Sequence, residues 1–142
     1  MTTPQYIACL DYGSKRVGVA IAHTIAKMPR PLVTLPNDDK LLDAIRELVE
    51  REDVGKVLVG LPRGMDGGYT EQTRLAEAFA NGLAQNLTVS VETADETLSS
   101  MDAESYLADR AHGKGDIDAM AAAVILERYL ADHSRKGAKG DI

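Results

Sequence analysis

The chain has 142 residues, 44% of them apolar and 27% charged, and carries a formal net charge of −6. That is enough for one domain with its own core, and the composition excludes a disordered or fibrous protein. A net acidic chain does not coat nucleic acid by electrostatics alone, but two bound divalent cations would lift the balance to about −2, so metal-dependent chemistry on nucleic acid stays open.

The start, MTTPQY, has no basic n-region, and no run of about eighteen apolar residues occurs, so neither secretion nor a membrane span is indicated. The single Cys9 has no internal disulfide partner. It sits mid-strand, which predicts a buried, inert thiol in a reducing cytoplasm.

Ile7–Leu10 is apolar on both faces and reads as a buried central strand that delivers Asp11 to its end. Tyr12–Gly13–Ser14 turns the chain, with Gly13 as the residue able to take positive φ, and Val17–Ile21 pairs back antiparallel. After a loop over His23–Arg30, Leu32–Leu35 lies between prolines and predicts an edge strand. Asn37–Asp39 offers an N-cap, and Leu41, Leu42, Ile45, Leu48 and Val49 mark an amphipathic helix ending near Asp53–Gly55.

Lys56–Leu61 predicts a second buried strand. Pro62–Gly68 follows as a mobile glycine loop at a strand's carboxyl end, where open α/β sheets bind ligands. Thr70 caps a helix with Leu75, Ala76, Phe79, Ala80 and Leu83 as its core stripe. Leu87–Thr93 predicts a strand that runs into Asp95–Glu96. Ser99 and Asp102 resemble a capping box for a helix to about Ala111, His112–Gly115 breaks it, and Asp116 caps a last helix over Ile117–Leu130. The polar tail 133–142 is expected to fray, leaving 1–132 as the single domain. The order βββαβαβαα implies a mixed sheet with helices on its faces.

Three separated segments thus carry carboxylates at element ends: Asp11, Asp95–Glu96, and Asp116 with Asp118. Hard divalent cations take oxygen ligands, and a pair of them can activate water against a phosphodiester. Strand alternation from Val89 and Val91 turns Asp95 inward. Asp118 tops the helix side that carries Ala121, Ala122, Ile125 and Tyr129, while Asp116 suits the cap. Lys15, Arg16, Arg63, Arg74 and Lys114 lie near these loops and could hold phosphates. Gly13 and Gly18 have phosphate-loop spacing, but Val19 stands where the lysine should be. His23, His112 and His133 have no ligand spacing.

The stretches Asp11-Tyr-Gly-Ser-Lys-Arg-Val-Gly-Val-Ala, Val59-Gly-Leu-Pro with Met65-Asp-Gly, Asp95-Glu96 with Leu98-Ser, and Asp118-Ala-Met-Ala-Ala resemble the YqgF family, also called RuvX. The resemblance runs from Tyr6 to Leu130 in order. It implies an α/β RNase H-like fold, a mixed five-stranded sheet flanked by helices. It further implies a metal-dependent nuclease linked to Holliday junctions and to 5′-end maturation of 16S rRNA precursor. Asp11, Glu96 and Asp118 are then the catalytic carboxylates for Mg²⁺ or Mn²⁺; Lys15, Arg16 and Lys114, by their place near the site loops, suit the substrate backbone. The implied partners are structured RNA precursor or branched DNA and ribosomal particles; monomer and homodimer both stay open.

Two departures stand out: Thr97 replaces the usual arginine after Asp95-Glu96, and Arg63-Gly64 replaces the commoner Leu-Asn. Thr97 favours a rival reading, a non-catalytic nucleic-acid or ribosome-binding module. A second rival, an actin-like ATP-binding domain, shares the D-x-G motif but needs a second domain that 142 residues do not hold.

Overall fold

The computed structural model describes residues 5–96 and 117–140, with residues 133–140 as backbone only. Five strands form one sheet: β1 (Tyr6–Tyr12), β2 (Arg16–His23), β3 (Arg30–Pro36), β4 (Val54–Leu61) and β5 (Ser90–Asp95). Their spatial order is β3-β2-β1-β4-β5. The first three are antiparallel and β1-β4-β5 are parallel, as a hairpin meander followed by helical crossovers requires. Three helices accompany them: α1 (Leu41–Arg51), α2 (Glu71–Asn86) and α3 (Ile117–Gly140). Among the described residues no helix is long and apolar enough to cross a membrane.

Both faces of the sheet are covered, and strand alternation divides the side chains between two cores. Ala8, Leu10, Val17, Val19, Ile21, Val57 and Val59 pack under α1 and α2 with Ile45, Leu48 and Leu83. Ile7, Cys9, Ala20, Ala22 and Leu58 face α3, meeting Ala122, Ala123, Ile125, Leu126 and Tyr129. Small residues on β2 and on α3 therefore face each other. Gly18 shares that face of β2, and a Cβ there would overlap the Asp118 carbonyl, so α3 lies directly on the strand.

Several local expectations change. Gly13 does not adopt positive φ. It is needed because a Cβ would stand 2.7 Å from the Arg16 carbonyl, whose oxygen accepts from the Gly13 amide at 3.0 Å. Asn37 does not cap α1: its amide side chain donates to the Gly13 carbonyl at 2.7 Å, and its backbone N–H donates to Lys15 at 2.9 Å. Lys40 occupies the cap position without a side-chain bond. β3 includes both prolines, which an edge strand tolerates.

The glycine loop is tied down rather than loose. Gly64 donates to the Gly68 carbonyl at 2.9 Å and Gly67 to the Gly64 carbonyl at 2.8 Å. The Thr73 hydroxyl bonds the Pro62 carbonyl, and Thr70 caps α2 as predicted. The backbone of α3 runs past Leu130 to Gly140, with no proline in the way. The predicted Ser99–Ala111 helix, the His112–Gly115 break and Asp116 lie outside the described residues.

Gly18→Ala is expected to cost about 3 kcal/mol, at the upper end for overpacking, and to lower the melting temperature by roughly 10 °C. Gly82, inside α2, has nothing within 4 Å of an added Cβ. Gly82→Ala should raise stability by about 0.5–1 kcal/mol through helix propensity. Urea melts of the two variants check both signs; a neutral Gly18→Ala would refute the close contact between α3 and β2.

Candidate active site

Asp11 ends the face of β1 that carries Ile7 and Cys9, so its side chain emerges where the α3 core gives way to solvent. Its antiparallel neighbour on β2 is Gly18. Because the first turn of α3 rests on that glycine, Asp118 arrives next to Asp11 across more than a hundred residues of chain.

The other flank is made by β4. A Cβ on Gly60 would stand 2.8 Å from both Glu96 Oε2 and Ile125 Cδ1. The Glu96 N–H donates to the Leu61 carbonyl at 3.1 Å, which carries the β4–β5 pairing one residue past Leu61 and Asp95. Glu96 is thereby laid over Gly60 and faces Asp11. Two glycines on the strands beside β1 thus leave room for two acids next to the one on β1.

Electrostatics follow from this crowding. Burial raises the Glu96 carboxyl from an ordinary 4.5 to about 8, helped by the charge of Asp11 and by a side-chain hydrogen bond with it. Burial also raises Asp11; its bond with Glu96 acts in the opposite sense, and the Asp118 charge raises it further. Both carboxyls are thus pushed toward holding a proton, Glu96 the more strongly. Among the described residues Glu96 Oε2 is buried with no hydrogen-bond partner. Beneath them Cys9 is fully buried, as predicted, and burial first of all pushes its thiol well up.

Asp118 is held differently. Arg16 Nε donates to its Oδ2 at 2.7 Å, with 32% of the Asp118 side chain exposed. Among the described residues no three His, Cys, Asp or Glu side chains are gathered closely enough to hold an ion together. Asp11 and Glu96 are a preformed pair, and Asp118 stands beside them in the grip of Arg16.

Asp95 does not turn inward. Val91 belongs to the α1/α2 core while Ala94 packs with the α3 core, so it is Glu96 that shares the face of Asp11. Asp95 is exposed and receives Arg63, through Nε at 3.1 Å and Nη2 at 3.0 Å. Arg63 therefore braces the strand end next to Glu96. Arg74 pairs with Glu71 within α2, at 2.8 and 2.7 Å. Lys15 is exposed in the clamped β1–β2 turn; Lys114 and Thr97 lie outside the described residues. His23 is structural: its ring accepts the Ile25 N–H at 3.1 Å and meets Tyr6 edge-on. The roles of Gly18 and Gly60 were not read from the sequence, although Gly18, Ala20 and Ala22, alternating along a strand, signal a closely packed helix.

Residues 5–132 match the RuvX family model, described as Holliday junction resolvase. A relative from Paraburkholderia phymatum, provisionally named a pre-16S rRNA nuclease, is 35% identical over 137 residues, covering 95% of this chain and 91% of its own. Another from Anaeromyxobacter sp. (strain K), under the same name, is 41% identical over 129 residues, covering 85% and 93%. Among solved structures, T. thermophilus RuvC in complex with a Holliday junction substrate superposes with a TM-score of 0.60 at 16% identity, over 94% of this chain and 96% of that one. Fowlpox virus resolvase in complex with Holliday junction DNA gives 0.57 at 14%, over 91% and 99%. At these identities the likeness speaks for the fold alone, which is RNase H-like.

A carboxyl whose folded pKa is raised stabilises the fold fully below its unfolded value and loses that contribution as pH rises through the folded one. For Glu96 the window runs from 4.5 to about 8. In chelator, wild type should therefore lose melting temperature relative to Glu96→Gln between about pH 5 and pH 8.5. One or two kcal/mol of that loss corresponds to roughly 3–6 °C. Parallel melting curves for the two proteins across this range would disprove the buried proton on Glu96.

Proposed function

This chain belongs to the RuvX family, and we propose from that membership that it is a nuclease acting on structured nucleic acid. The substrate class is the precursor 16S rRNA for which its relatives are named, with four-way DNA junctions second. The observation that carries the reading is the Asp11–Glu96 pair, two half-buried carboxyls side by side at adjoining strand ends, one with a buried oxygen that no described residue satisfies.

Such a pair fits a divalent cation. A buried carboxylate oxygen without a partner costs free energy that a hard cation offsets, and a cation would also bring Glu96 back to its charged form. Asp11, Glu96 and Asp118 are the residues that would hold Mg²⁺ or Mn²⁺. When bound, the ion would lower the pKa of water and stabilise charge on the leaving oxygen.

The chain's own residues supply position and charge. Lys15 and Arg16 stand on the clamped turn, where Asn37 bonds both Gly13 and Lys15, so their charges are presented from a rigid corner. They hold the backbone phosphate against the acids. Lys114 takes the same role on its sequence position alone. Arg63, bound to Asp95, keeps the β5 exit and hence Glu96 in place. Ribosomal particles are the setting in which an rRNA precursor would meet this site.

Asp11→Asn should slow cleavage of a pre-16S rRNA fragment by at least about a hundredfold. Chelator should abolish wild-type cleavage and Mg²⁺ or Mn²⁺ restore it. Equal rates for wild type and Asp11→Asn would take Asp11 out of the mechanism. Binding to RNA or junction with no turnover under any metal would favour a binding module instead.

A further inference from the structure

Arg16 and Asp118 meet at 2.7 Å from opposite parts of the chain, and both are held by backbone that cannot easily give. Arg16 opens β2, its carbonyl bonded by Gly13 and the preceding Lys15 carbonyl bonded by Asn37. Asp118 is carried by the turn of α3 that rests on Gly18, two residues along the same strand. The guanidinium side is 64% exposed and the carboxylate 32%, so the arginine lies over the acid from the solvent side. From beneath, the acid's charge reaches Asp11.

The Asp118 carboxylate thus sits between two claims. Arg16 occupies Oδ2, and a guanidinium there repels a divalent cation at the same carboxylate and competes with it for that oxygen. An exposed ion pair is weak, so the competition is readily decided either way. The guanidinium's planar donor fork suits a phosphate as well as a carboxylate.

Resting on the nuclease reading above, we propose that Arg16 is a positioning residue shared between two partners: it holds Asp118 in the free protein and passes to a backbone phosphate of the nucleic acid, which leaves Asp118 open to a divalent cation. Cation and nucleic acid then raise each other's affinity, and the coupling is the same from both sides. A full ligand set is assembled only with substrate in place.

The test uses binding rather than turnover. Mn²⁺ is titrated calorimetrically into the full chain without nucleic acid, and a labelled four-way DNA junction is bound in chelator by fluorescence anisotropy. Arg16→Gln should tighten Mn²⁺ by about three- to fivefold, the range an exposed ion pair allows. Lys15→Gln, which removes the same charge one residue away, should change it by less than about twofold. In chelator, Asp118→Asn should bind the junction more tightly by about the same factor, because Arg16 is freed. That gain should vanish in the Arg16→Gln background.

An unchanged Mn²⁺ affinity in Arg16→Gln overturns the proposal. So does a junction gain from Asp118→Asn that persists without Arg16, since the gain would then be charge alone. Wild-type Mn²⁺ affinity in Asp118→Asn would instead remove Asp118 from the ligand set and take the underlying assignment with it.

Discussion

The close approach of α3 to the sheet at Gly18 is the contact on which the site depends. A helix ordinarily stands off a strand by the length of the side chains between them, and that distance would leave Asp118 out of reach of Asp11. Here Gly18, Ala20 and Ala22 on β2 meet Ala119, Ala122 and Ala123 on α3, all of these alanines fully or nearly fully buried. Dispersion over many small contacts replaces the interdigitation of larger side chains. Gly60 does the same for Glu96 on the other side of β1. A methyl group at either glycine would push an acid away from the central one.

Crowding acids in this way works against the fold. Burial and mutual repulsion favour a proton on Glu96 that would be lost in water, and Glu96 Oε2 receives no donor among the described residues. Residues whose protonation is displaced so far by burial and a partner of the same sign mark candidate working sites. The three acids are all half-buried and differ in what holds them. Glu96 and Asp11 are locked together against the sheet, while Asp118 is partly open and already engages a cationic side chain. The locked pair supplies a fixed receptor, and the open acid is the one that can exchange partners without disturbing the packing.

The strands and helices were largely legible because each has one decisive local signal: apolar runs for β1, β2 and β4, helical spacing for α1, the Thr70 cap for α2. Errors arose where one group had two possible partners. Asn37 reads as a helix cap, yet the β1–β2 turn offers its amide a carbonyl and its N–H another. Gly13 reads as a positive-φ turn residue, yet its need is room for the Arg16 carbonyl. The glycine loop reads as loose, yet its own amides and Thr73 close it. On β5 the alternation rule points Asp95 inward because Val89 and Val91 are apolar. With cores on both faces of the sheet, an apolar residue does not reveal which core it enters, and the rule selects the wrong acid.

By itself the sequence determined the alternation of strands and helices, the family, and the three segments that bring acids to element ends. These rest on periodicity and motif, which are properties of neighbouring residues. Only the tertiary structure decided that Glu96 rather than Asp95 joins Asp11, that Arg63 binds the acid left over, and that Arg16 holds Asp118. Each of those is a contact between residues at least 32 positions apart, and for Glu96 and Asp118 it depends on the room that Gly60 and Gly18 leave. That is a matter of three-dimensional clearance, which no local pattern of residues encodes.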